Sequence, residues 1–162
     1  MKLAQALQER ADLNKKISQL EYRLSMNAVV QEGEDSLESP KELLKELNTS
    51  YDNLETLISR INLTNCNTKT EYNNSTLTEL IAKRDVLSKK IDSYRNLANS
   101  ASNVIPRASR SEIKILSNVD VKKLQKEIDS MSCELRKIED AIQFTNWTVD
   151  LMWTILVGNF IE

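Results

Sequence analysis

Apolar residues return every three or four positions along four long stretches of this chain, the spacing that lays one stripe along an α-helix. The first stripe reads Leu3, Ala6, Arg10, Leu13, Ile17, Leu20, Leu24 and Asn27, with an arginine as its one fault. The second is Leu44, Leu47, Tyr51, Leu54, Ile58, Ile61 and Asn65. The third is Leu77, Leu80, Arg84, Leu87, Ile91, Tyr94, Ala98 and Ala101. The fourth runs from Val121 through Leu124, Ile128, Met131, Leu135, Ile138 and Ile142 to Thr145, Val149 and Met152. The pattern predicts helices over about residues 2–27, 40–66, 77–102 and 120–151.

Start signals agree with the stripes. Ser39-Pro40-Lys41-Glu42 and Thr76-Leu77-Thr78-Glu79 both read as capping boxes, and Pro40 stands at the first helical position, where a missing N–H costs nothing. Asp120 suits an N-cap for the last helix. Between helices, Ser111-Glu112-Ile113-Lys114-Ile115 alternates with period two, and Ala28-Val29-Val30 is β-prone. Short strands over 28–32 and 111–116 are expected to pair at one end, here called the top. The fold class expected is all-α: an up-down bundle of four long helices with a small β element at one end. That domain covers 1–151, and an apolar tail, 152–162, follows it.

Composition narrows the chemistry. The chain has no histidine and two glycines, so Ser–His and Cys–His arrangements, imidazole metal sites and a glycine-rich phosphate loop are all missing. Acid pairs such as Glu139-Asp140 are consecutive on a helix and point to different faces. No enzyme activity, cofactor or metal is therefore expected. Net charge is -2, and the basic stretch from Arg107 to Lys126 lacks interleaved aromatics and is broken by Glu112 and Asp120, so no nucleic acid is expected. Charge at Glu9 and Arg10 precedes any apolar block, so no secretory leader is expected. Cys66 and Cys133 fit no metal or redox spacing and suit a reducing compartment, which points to the cytoplasm.

Two features could carry a function. At about 1.5 Å per residue, Arg10 and Arg84 fall at one level, roughly 25 Å below the top. Two guanidinium groups in one seam need carboxylates or a bound anion between them, with Glu55 and Glu139 at a similar height. Internal ion pairs that fix register are the plain reading; an anion pocket is the alternative. Asn62, Asn65, Asp85, Asn146 and Trp147 gather below that layer, either as loop-anchoring hydrogen bonds or as a small polar pocket.

The second feature is the tail. Trp147, Leu151, Trp153, Leu156 and Phe160 follow where the other helices have run out, so most of it is expected to lack a partner within the chain. Asp150 and Gly158 interrupt it, and it is short of the ~20 residues of a membrane span. Exposed apolar surface of this kind marks a protein interface. These five residues are expected to form a contact between copies of the chain.

The segments 27–34, 60–65, 77–87, 109–114 and 145–148 resemble those of a bacterial family often labelled septicolysin, in the same order and over almost the whole chain. The resemblance implies no established activity, substrate or cofactor. After about Leu151 the chain departs from that pattern. The function expected is that of a non-enzymatic structural or interaction protein that forms homo-oligomers in the cytoplasm. A membrane-active, haemolysin-like protein is the alternative, and a binder of a small anion at the arginine layer is a third.

Overall fold

The computed structural model describes residues 1–33, 35–102 and 116–153. Among these the fold is all-α, with four helices: α1, Leu3–Met26; α2, Pro40–Asn67; α3, Leu77–Ser102; and α4, Val121–Thr148. The chain forms two compact units. One is Met1–Thr68 with the described part of Thr145–Glu162; the other is Lys69–Phe144.

In the first unit α1 and α2 pair. Their core is Ile17 and Leu20 against Leu43 and Leu47, with Leu24 and Leu54 packed on it. Each such side chain, when fully buried, stabilises by about 1.5–3 kcal/mol. The pair is antiparallel, and hydrogen bonds at both ends show it. At the turn, the Arg23 guanidinium forks onto the Glu38 carboxylate. Beside it the Glu38 N–H donates to Asn27 Oδ1 at 3.1 Å. Further along, Lys16 Nζ lies 2.8 Å from Glu46. At the other end the start of α1 and the last turns of α2 both hold the segment 148–152, described below.

The buried row of α2 is Leu43, Leu47, Ser50, Leu57, Ile61 and Thr64. Leu47 and Ile61 belong to the expected stripe. Leu54 and Asn65 of that stripe are half-buried, whereas Leu44, Tyr51 and Ile58 are 38% exposed or more. The helix is apolar on two adjacent rows, seven residues apart in each, and periodicity alone cannot say which row faces inward.

The expected β element is not formed at residues 28–32, which are bend and irregular chain; residues 111–115 lie outside the described residues. Gly33, at φ +88°, turns the chain, and Val29 is 83% exposed, so a strand here would bury nothing. The β pairing that does occur is two isolated antiparallel bridges, Lys2 with Asp150 and Lys69 with Thr76. The first explains why α4 stops at Thr148 rather than near 151: Val149 and Leu151 turn their backbone groups to Leu3 and Met1.

In the second unit Ile91, Ala98 and Ile128 form the core of α3 and α4, covered by Leu87, Tyr94, Leu124, Met131 and Leu135. The pair is antiparallel, since Lys83, just before that cluster on α3, reaches Glu134 near its far end on α4. Residues 69–76 form a tight loop: the Thr70 N–H donates to the Ser75 carbonyl at 2.8 Å. Asn73 and Asn74 take the left-handed conformation there (φ 53° and 54°), one that asparagine tolerates better than most side chains.

Candidate interaction surface

The residues expected at the arginine layer and in the polar group below it fall in both units. Arg10, Asn62, Asn65 and Asn146 belong to the first, Arg84 and Asp85 to the second. Arg10 is exposed on α1, not inside the seam. The buried residues of α1 are Leu3, Ala6, Ile17 and Leu20; Arg10 shares the row of Leu3 and Ile17, seven residues from each, but its side chain is left uncovered, where water solvates the charge. Arg84 is half-buried and spends its fork on its own neighbour: its Nε and one terminal nitrogen donate to Asp85 Oδ1 at 2.9 and 2.7 Å. Asn62 is exposed, while Asn65 and Asn146 are half-buried. No group of three or more His, Cys, Asp or Glu that could hold a metal ion occurs among the described residues.

The C-terminal segment has the more definite geometry. The Leu3 N–H donates to the Val149 carbonyl at 3.0 Å, and the Leu151 N–H to the Met1 carbonyl at 2.8 Å. Lys2 Nζ adds an ion pair with Asp150 at 3.0 Å. From α2, Thr64 Oγ1 accepts the Met152 N–H at 3.0 Å and donates to the Arg60 carbonyl at 2.7 Å. Arg60 Nε donates to the Met152 carbonyl at 3.0 Å, and its guanidinium lies over the Trp153 ring. The segment is thus tied on both sides before Trp153.

This divides the expected interface. Leu151 is 5% exposed and belongs to the unit's interior, because its amide pairing with Met1 turns the side chain in. Trp147 and Trp153 are 66% and 78% exposed. Leu156 and Phe160 lie outside the described residues. Met1, Leu63 and Met152, at the same end of this unit, are also exposed. The sequence reading missed Arg60 and Thr64, which hold the segment; neither residue type announces such a role from spacing alone.

In the second unit the 69–76 loop is anchored by a three-residue cluster. The Tyr72 hydroxyl donates to Glu134 Oε1 at 3.1 Å, and Lys83 Nζ lies 2.7 Å from the same oxygen. The Lys83 hydrogen bond and then that of Tyr72 hold the Glu134 carboxyl below its usual range, and Glu134 in turn raises the lysine. All three groups are part-exposed and paired with one another, so the cluster fastens the loop.

The described residues define an all-α protein with two exposed tryptophans, Trp147 and Trp153, flanking the tied segment of its first unit. Residues 10–151 match a family of unknown function (DUF6847), and the chain belongs to that family. It is also similar to a functionally unknown conserved protein from Corynebacterium diphtheriae, seen in a crystal structure. The two share 36% identity and a TM-score of 0.83, covering 94% of this chain and 99% of that one. No curated protein matches the chain. No helix among the described residues is long and apolar enough to cross a membrane.

Proposed function

We propose that this chain is a non-enzymatic, cytoplasmic interaction protein that self-associates through the exposed end of its first unit. The observation that carries the reading is the exposure of Trp147 and Trp153 on either side of a segment tied to Met1, Leu3, Arg60 and Thr64. A fixed tryptophan loses little conformational freedom on binding and buries about 150–250 Å² of surface. Met1, Leu63 and Met152 extend the patch toward the ~800 Å² per partner of a stable interface.

The test is sedimentation equilibrium of the wild type and of Trp147→Ala/Trp153→Ala at matched micromolar concentration. The wild type is expected as an oligomer and the double variant as a monomer with unchanged helicity. A monomeric wild type would remove self-association. Co-sedimentation of that monomer with anionic liposomes, lost in the double variant, would put a membrane surface in its place.

A further inference from the structure

One face of α4 and a single arginine of α3 border a cleft of about 550 Å³ within the second unit. Its apolar wall is Ile128, which is buried, and Leu135, which is half-buried. Arg95 and Arg136 stand on its rim, and Asp129 is the one acid among its lining residues. Asp129 already accepts a hydrogen bond from Gln125 Nε2 at 2.9 Å. Arg95 has only a loose tie, 3.8 Å to Asp92, with both side chains more than half exposed, a geometry of little worth in water. Arg136 makes no ion pair or hydrogen bond among the described residues.

Ser132 sets the cleft apart. Its Oγ is buried and has no hydrogen-bond partner. Several other helical hydroxyls among the described residues return to the carbonyl four residues back: Ser50 to Glu46 at 2.9 Å, Ser93 to Lys89 at 3.0 Å, Thr64 to Arg60 at 2.7 Å. A buried hydroxyl without a partner is costly to keep. Turning about χ1 toward the cleft would cost Ser132 no existing bond.

We propose that this cleft binds a small organic oxyanion. The phosphoryl or carboxyl head lies between Arg95 and Arg136 with the Ser132 hydroxyl donating to it, and a short apolar body rests on Ile128 and Leu135. Guanidinium forks match the paired oxygens of either head, and two forks with one hydroxyl match the three oxygens of a phosphoryl group best. A few convergent polar groups over an apolar wall are the usual make-up of a small-ligand site.

Calorimetric titration of the full chain with phenyl phosphate, benzoate and inorganic phosphate tests this. Saturable one-to-one binding of phenyl phosphate, or of benzoate, is expected, and the tighter of the two identifies the head. Inorganic phosphate, lacking the apolar body, should bind about tenfold more weakly than phenyl phosphate. Arg95→Gln/Arg136→Gln should weaken binding by at least about tenfold. Ser132→Ala should weaken it about threefold while raising the melting temperature, because the variant loses an unpaired buried hydroxyl. A serine with a purely structural part would shift melting and leave affinity alone, and that result would take away the reason for singling out the cleft. Absence of saturation by all three probes up to about 10 mM, or equal binding by the double arginine variant, would overturn the proposal.

Discussion

The guanidinium of Arg60 lies 4.2 Å from the centre of the Trp153 ring while its Nε holds the carbonyl of the preceding residue at 3.0 Å. One side chain from α2 thus fixes both the backbone and the aromatic group of a segment 92 positions away in the chain. Arg60→Ala is expected to loosen that segment without unfolding α2. The measurable consequence is faster hydrogen exchange at the Leu151 and Met152 amides. A factor of about five is expected from a weak exposed cation–π contact and one hydrogen bond. Arg60→Lys keeps the charge but not the fork and should fall between. Unchanged exchange would mean that the bonds of Leu3, Leu151 and Thr64 hold the segment alone.

Much of this architecture is legible in the apolar spacing. The buried residues Leu77, Leu80, Ile91 and Ala98 of α3, and Ile128, Ile138 and Ile142 of α4, all belong to the stripes read from the sequence, because a helix has little freedom over which face of a single apolar row it hides. Where two rows are apolar, as at Leu43/Leu44 and Leu57/Ile58, the sequence leaves the choice open and packing settles it. Arg10 was misplaced for a related reason: a stripe can skip a turn where solvation of a charge outweighs continuity of the pattern. The ties on the C-terminal segment were not legible at all. They join α2 and the chain's start to residues 149–152 through backbone groups and one arginine, and no periodicity encodes such a meeting.

Acid should weaken the fold in a defined window. Among the described residues four carboxyls are held below their ordinary range: Glu38 by the hydrogen bonds of Arg23, Glu46 by that of Lys16, Glu79 by the backbone N–H of Thr76, and Glu134 by Lys83 and then Tyr72. A lowered folded-state value means stability that is present above the unfolded value, about 4.3, and is lost as pH falls through the folded values. The melting temperature is therefore expected to be level from neutral pH down to about 5 and to drop below about 4. Glu38→Gln should melt lower at neutral pH and show a shallower acid decline, since one of the four groups no longer titrates. Lys83 runs the other way: its raised value gives stability present below the ordinary lysine range and lost only in strong alkali. A melting temperature that stayed level down to pH 3 would mean these contacts contribute nothing that protonation can remove.

Two identical start signals behave differently, which gives the sharpest mutational contrast. At Thr76 the box is closed: its N–H donates to Glu79 Oε2 at 2.7 Å, its hydroxyl donates to the same oxygen at 2.9 Å, and its Oγ1 accepts the Glu79 N–H at 3.3 Å. At Ser39 the side chain makes no capping bond. Its backbone carbonyl alone takes the N–H groups of Glu42 and Leu43, both at 3.1 Å, and Pro40 has already removed one orphan donor. Thr76→Ala is therefore expected to cost about 1 kcal/mol, while Ser39→Ala stays within about 0.3 kcal/mol of the wild type, as surface changes do. Urea denaturation of the two variants side by side reads the difference, provided the slopes agree. Equal losses would show that Ser39 caps α2 in solution after all. A silent Thr76→Ala would mean that the loop cluster of Tyr72, Lys83 and Glu134 holds the start of α3 without the box.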